Sequence, residues 1–168
     1  MSVSLHEVAI PTYRRYLKNL SAFIAKAAEH AHENGRDPEA LVLARLYEDM
    51  KPLAGQVQMA SDAAKGGAAR LMGEKPPSFE DNETTLADLQ ARIDKTLAFL
   101  DTVTPEQTGG DDGRAIELPV PGRTLTFTAR NFVVGFSVPN FLFHVTTAYA
   151  ILRNQGAPLG KVDYLGAV

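Results

Sequence analysis

The sequence predicts an all-α protein, an antiparallel four-helix bundle with a small β-hairpin before the last helix. Two observations predict this class. Four long segments carry apolar residues at helical spacing, and short links separate them. One segment near residues 115–128 instead has short extended arms around a Pro–Gly turn. We expect a single domain over residues 1–168, because a chain of this length suits one domain.

The first long helix is predicted over residues 12–33. Its apolar residues recur every three or four positions, and lysine and glutamate fill the other face. Pro11 is expected at its start, where the missing N–H is not needed. Asn34–Gly35 is expected to end the helix.

A short helix is predicted after Asp37–Pro38–Glu39, and a second long helix over residues 53–72. The long helix is rich in small residues and contains Gly66–Gly67, which cost about 1 kcal/mol each in a helix interior. Close approach of a neighbouring helix would compensate for this cost. Two neighbours are open: another helix of the same chain, or a second copy at a dimer seam.

The third long helix is predicted to follow a cap at Thr84 or Thr85, with Asp88 near its start, and to run to about residue 102. Its leucine stripe is typical of an amphipathic helix. The next segment, around Pro121–Gly122, predicts a β-hairpin or two short extended arms. A lone hairpin is marginally stable in water, so we expect it to pack on the helices.

The last helix is predicted over residues 129–154, and its apolar circumference indicates burial. Pro139 lies inside this range and is expected to bend the helix against Gly135. The tail over residues 160–166 is expected to form no further element and to dock through Tyr164 and Leu165.

Composition excludes several classes of function. A formal net charge of −3 and a pI near 5.8 argue against nucleic-acid binding. The absence of cysteine excludes disulfides, thiolate catalysis and cysteine zinc sites, and it fits a cytoplasmic protein. No apolar run approaches the length of a membrane span, so no membrane association is expected.

The candidate site lies on the last helix. Asn140, His144 and Thr147 share one face there, and imidazole can titrate near neutral pH or ligate a metal. The alternative is a buried structural histidine that is hydrogen-bonded to an amide or a carbonyl. Gln56 or Gln58 could meet His144 if the second helix faces the last one; otherwise they form a solvent-facing polar edge.

Other chemical templates are missing from the sequence. It contains no glycine-rich phosphate loop, no His-Glu-x-x-His and no Gly-x-Ser-x-Gly. A stable zinc site normally needs three or four protein ligands, and His144 is the one inward-facing histidine expected. We therefore predict no cofactor and no metal; if a metal binds, His144 would hold it.

Three motifs carry a resemblance that spans nearly the whole chain. They are Asp49–Met50–x–Pro52–Leu53–x–x–Gln56–Val57–Gln58, Pro139–Asn140–Phe141–x–Phe143–His144–Val145–Thr146–Thr147–Ala148–Tyr149 and Gly160–Lys161–x–Asp163–Tyr164–Leu165–Gly166. Through them the chain resembles the DinB/YfiT-like superfamily, and more closely a bacterial branch of it, a domain-of-unknown-function family. The resemblance implies a four-helix bundle that is often homodimeric.

The resemblance also bears on metal binding. Metal-binding members resemble thiol-dependent transferases or hydrolases, in which three histidines hold a divalent metal. Two of these come from His-x-x-x-His on the last helix and one from the second helix. Here His144 matches the second histidine of the pair and Asn140 stands at the first. The second helix offers Gln56, Gln58 or Met59, so the implied metal site is incomplete.

Two functions are open from the sequence, and it does not decide whether the protein is an enzyme. The first is a non-catalytic, homodimeric, cytoplasmic bundle protein whose polar pocket binds a small molecule. The second is a metal- or histidine-dependent transferase or hydrolase that acts on a small molecule, with nickel or zinc at His144. We favour the first, because the ligand set for a metal is incomplete.

Overall fold

The computed structural model describes residues 3–166, which are mostly helical with one two-stranded antiparallel hairpin. In chain order the elements are α1 (Leu5–Glu33), a 3-10 helix (Pro38–Leu43), α2 (Leu53–Leu71), α3 (Leu86–Asp101), α4 (Pro105–Thr108), β1 (Ala115–Val120), β2 (Arg123–Thr128), α5 (Ala129–Phe132), a π-helical turn (Val133–Ser137), α6 (Val138–Asn154) and α7 (Lys161–Leu165). None of the described helices combines the length and the apolarity that crossing a membrane requires.

One apolar core joins the four longest helices, α1, α2, α3 and α6. The most extensive helix contact is between α2 and α6, and α1 packs against both α6 and α3. Aromatic side chains fill the centre: the rings of Tyr13 and Phe141 meet edge to face with centroids 5.0 Å apart. This packing fixes α2 and α6 side by side, which positions the cleft described below.

The predicted start of α1 is wrong. The helix begins at Leu5, and Ser4 and Glu7 form a capping box that satisfies its first N–H groups. Pro11 lies inside the helix, on its exposed face. A capping box stabilises the helix start at the chain end, and the exposed proline costs one backbone hydrogen bond without breaking the helix.

Gly67 marks a close approach within the chain. A Cβ atom there would lie 2.4 Å from both the Tyr13 hydroxyl of α1 and the Ser137 hydroxyl of the π-helical turn. These two hydroxyls hydrogen-bond to each other at 2.7 Å. The neighbour that compensates for the small residues of α2 is therefore part of the same chain.

The cap of α3 and the hairpin agree with the predictions from the sequence. Thr85 and Asp88 form the capping box that begins α3. The strands β1 and β2 pair antiparallel with Val120 opposite Arg123, so a two-residue turn joins them, and Gly122 adopts a φ of 81° there. The hairpin packs on the helices through the Phe127 ring, whose centroid lies 5.4 Å from that of Phe136.

The last predicted helix is divided into three parts, α5, the π-helical turn and α6. The N–H of Val138 donates to the carbonyl of Val133, five residues earlier. Pro139 follows in the first turn of α6 and has no N–H to donate. A wider turn just before a proline relieves the contact between the ring and the preceding turn, so the irregularity spans Val133–Ser137.

The tail differs from its prediction in two ways. It forms a short helix, α7, because the Asp163 carboxylate accepts the Gly160 N–H at 2.7 Å and pairs with Lys26 at 2.9 Å. Tyr164 docks against the rings of α1, as expected. Leu165 does not dock, since 38% of it is exposed.

Candidate functional site

A cleft of about 350 Å³ lies between α2, β1 and the helical segment that ends in α6. It is lined by Met59, Asp62, Ala63, Gly66, Gly67, Arg70, Leu118, Val120, Phe132, Phe136, Ser137, Asn140 and His144. The α2 members and the α6-side members each recur every three to four residues, so each set forms one helical stripe. The cleft is the groove between two facing stripes, with the hairpin over one end.

His144 lines this cleft and is held in a fixed orientation. The ring is 6% exposed, and its Nδ1 lies 2.9 Å from the Gln56 Oε1. The Gln56 side-chain nitrogen donates to the Lys51 carbonyl at 3.2 Å, which turns the amide oxygen toward the imidazole. Because that oxygen can only accept, His144 Nδ1 donates, and the proton of the neutral ring is on Nδ1.

The other ring nitrogen of His144, Nε2, has no partner among the described residues, and it is not sealed from solvent. Burial lowers the pKa of His144, which favours the neutral ring at neutral pH. The ring therefore presents an sp² nitrogen lone pair, which can accept a hydrogen bond, accept a proton or ligate a metal.

A pH titration of stability tests this state of His144. Because the folded pKa lies below the ordinary value of 6.5, the unfolded chain takes up the proton more readily. Stability is then unaffected by this group above about pH 6.5 and falls as the pH drops toward the lower folded pKa. We expect His144→Gln to reduce the loss of unfolding free energy at low pH, by at most about 1.4 kcal/mol per pH unit.

Urea midpoints measured between about pH 7.5 and pH 5 would show the effect. His32→Gln is the matched control, because His32 is exposed near the end of α1. If the urea midpoints of wild type and His144→Gln fell equally as the pH is lowered, the assignment of His144 as a buried, neutral imidazole would be contradicted.

Asn140 lies one helical turn from His144 and lines the same cleft. Its side chain is half-buried and makes no hydrogen bond within the described part of the chain. A carboxamide offers two donors and an acceptor, so this group can orient a polar ligand.

The structure does not bring Gln58 and Thr147 to this cleft. The Gln58 amide donates to Glu83 at 2.8 Å, outside the lining set. The Thr147 hydroxyl donates to the Phe143 carbonyl of its own helix at 2.8 Å. Of the five predicted residues, His144 and Asn140 line the cleft, and Gln56 supports His144 from behind.

Arg70 and the hairpin residues Leu118 and Val120 also line the cleft, and sequence reasoning missed them. Arg70 lies on the same face of α2 as Met59 and Gly66, so its helical spacing could have placed it in the cleft. The hairpin residues depend on how the hairpin folds onto the helices, and no local signal reports that contact.

The donors present do not fit the three-histidine site of metal-binding relatives. Within residues 3–166, no group of three or more His, Cys, Asp or Glu side chains is placed to hold a metal ion. Asn140 and Gln56 stand near His144, but their amides are neutral and weak ligands beside imidazole. Asp62, the acidic lining residue, is paired with Lys65 and Arg92, both at 2.9 Å.

Comparison with known proteins identifies the family. The model of the family described as Domain of unknown function (DUF1993) matches residues 5–165. The chain belongs to the DUF1993 family. A crystal structure of a DinB family member protein from Shewanella denitrificans resembles this DUF1993 chain with 38% sequence identity and a TM-score of 0.88, covering 98% of this chain and 93% of the other. No functionally curated protein is significantly similar.

These findings confirm the DinB-like, domain-of-unknown-function assignment that the three motifs predict. The mostly helical fold with a small hairpin agrees with it. Membership of DUF1993 assigns no reaction and no ligand, so the function of this member has to be argued from the cleft.

Proposed function

We propose that this DUF1993 member is a non-catalytic protein that binds a small molecule in the cleft between α2 and α6. In this proposal the four longest helices form an antiparallel four-helix bundle, a single domain that frames the cleft. One observation carries the proposal: His144 and Asn140 line the same cleft, and neither His144 Nε2 nor the Asn140 amide has a hydrogen-bond partner among the described residues.

The physical character of the cleft supports a ligand. Its volume of about 350 Å³ lies within the range of small-molecule pockets. Most of the lining surface is apolar, and polar groups from five side chains converge on it, as in many small-molecule sites. Polar groups in apolar surroundings normally find partners, so their availability here favours binding.

Ligand screening by protein NMR tests the proposal. We expect hits from a small-molecule fragment library to shift amide signals of residues 59–70 and 132–144 together. His144→Ala should weaken these hits about tenfold or more, since it removes the lone pair and leaves Gln56 unpaired. His32→Ala, an exposed histidine, is the matched control. A screen whose hits avoid the cleft, or give none, would overturn the proposal.

The second candidate is a metal- or histidine-dependent transferase or hydrolase that acts on a small molecule, and the lone pair of His144 is the observation that favours it. Metal analysis of protein purified without chelators separates the two functions. Stoichiometric nickel or zinc that is lost in His144→Ala would replace the binding proposal with the enzymatic one. The homodimer and the cytoplasmic location implied above stay predictions.

A further inference from the structure

The two ends of the cleft differ in chemistry. Gln56 of α2 meets His144, while Gly67 of α2 meets Ser137, so the two helical stripes run antiparallel. His144 and Asn140 therefore lie at the end near the start of α2, and Arg70 lies at the other end. Arg70 also borders a smaller hollow with residues 115–117 of β1, which places the hairpin over the arginine end.

Among the described residues, Arg70 is a cation without an anionic partner. Its side chain is half-buried, and its Nη1 donates to the Gly66 carbonyl at 3.0 Å. Glu74 and Glu117 border the adjoining hollow, but within residues 3–166 no carboxylate lies within 4.0 Å of the guanidinium. Charged groups in such surroundings are normally paired, and a guanidinium binds a carboxylate through two parallel hydrogen bonds.

The charge of the lining suits one negative group. Among the described lining residues, Arg70 carries the one full positive charge, and the neutral His144 adds none. The charge of Asp62 is compensated by Lys65, which pairs with no other carboxylate among the described residues, whereas Arg92 also pairs with Asp81 and Glu83. A single guanidinium matches a singly charged carboxylate better than a doubly charged phosphate.

The distance between the two ends sets the length of the ligand. Gly66, whose carbonyl holds Arg70, lies ten residues after Gln56, which holds His144. Ten residues of α-helix span about 15 Å. The α2 surface between them carries Met59 and Ala63 beside Asp62, whose carboxylate pairs with Lys65 at 2.9 Å, and Phe136 lines the arginine end of the cleft.

We infer that the ligand is an elongated organic acid with an apolar chain of about this length, whose carboxylate pairs with Arg70 and whose far end donates an O–H or N–H to His144 Nε2. This inference rests on the proposed function and specifies its ligand class. An acceptor such as Nε2 needs a donor from the ligand, and the Asn140 amide can hold the oxygen or nitrogen of that group.

Calorimetric titration with three probes of matched length tests the inference: ω-hydroxydecanoate, decanoate and decanediol, each below its aggregation limit. We expect ω-hydroxydecanoate to bind the wild-type protein tightest, because it alone satisfies both ends. Arg70→Gln should weaken both acids about tenfold or more and leave the diol unchanged. His144→Phe should abolish the advantage of ω-hydroxydecanoate over decanoate.

Arg123→Gln is the matched control, because Arg123 is exposed on β2 outside the cleft lining and its loss changes the net charge equally. A change in the ¹⁵N shift of His144 Nε2 on adding ω-hydroxydecanoate to wild-type protein gives a readout that needs no variant. Equal weakening by Arg70→Gln and Arg123→Gln, or no binding of either acid, would overturn the inference. In that case fragment hits in the cleft would leave the proposed function standing, and their absence would remove both.

Discussion

Arg92→Met is expected to destabilise the protein by about 3–5 kcal/mol. The Arg92 side chain is 2% exposed and donates to Glu83 at 2.8 Å, to Asp62 at 2.9 Å and to the Glu80 carbonyl at 3.0 Å, and it forms an ion pair with Asp81 at 2.9 Å. One buried guanidinium thus ties α3 to α2 and to the connection between them. Methionine fills similar volume but removes every one of these hydrogen bonds.

Most of the expected loss comes from the partner left behind. The Glu83 side chain is 8% exposed. Burial alone raises the pKa of Glu83, but hydrogen bonds from Arg92 and Gln58 hold it below the usual value. Without Arg92 the carboxylate stays buried with weaker compensation, or it takes up a proton at a cost in free energy.

Urea unfolding of three variants checks this expectation. Arg92→Met together with Glu83→Gln should recover part of the stability, because the double variant no longer buries an uncompensated charge. Lys18→Met is the control, since Lys18 is an exposed lysine of α1. A loss below about 1 kcal/mol for Arg92→Met would show that the buried network contributes little.

The same network explains why only the structure distinguishes Gln56 from Gln58 as the partner of His144. Gln56 and Gln58 lie two residues apart on α2, and the sequence allows either to meet His144. Glu83 binds Gln58 on the α3 side, which leaves Gln56 to face α6. That choice depends on a contact between α2 and a connection 25 residues away, and the local pattern around Gln56 does not contain it.

The helices were predictable where their ends carry local signals. The start of α3 follows from Thr85 and Asp88, and α2 begins directly after Pro52, as expected. The start of α1 is also encoded locally, in the Ser4–Glu7 capping box, whereas the helix-start preference of Pro11 predicts a later start. An exposed proline in a long helix is tolerated when the cap and the packing on either side favour the helix.

The irregular parts of the fold were less predictable. The π-helical turn combines a local cause, Pro139, with a tertiary contact to Tyr13, and α7 combines a local cap by Asp163 with a tertiary contact to Lys26. For the site, the four-residue spacing of Asn140 and His144 did predict that both side chains share a face. Arg70 belongs to the site because α2 packs antiparallel to α6. This alignment is a long-range property that the local sequence does not report.

Gly67→Ala is expected to cost about 3 kcal/mol, the upper end of the range for overpacking a core. The added Cβ would lie 2.4 Å from the hydroxyls of Tyr13 and Ser137 and 3.0 Å from the Tyr13 ring carbon that bears the hydroxyl. Burial raises the pKa of Tyr13 to about 12, so the phenol stays protonated and hydrogen-bonded to Ser137. A methyl group there would separate this pair and push α1 and the π-helical turn away from α2.

Gly135→Ala is the matched control for this prediction, because a Cβ at Gly135 meets nothing within 4 Å. It should be neutral or slightly stabilising, since alanine favours helical backbone. Adding Tyr13→Phe and Ser137→Ala to Gly67→Ala should recover part of the loss, because both clashing oxygens are then gone. Thermal and urea unfolding measure both variants. Equal stability of Gly67→Ala and Gly135→Ala would contradict the close contact within the chain. The small residues of α2 would then be better explained by a dimer interface.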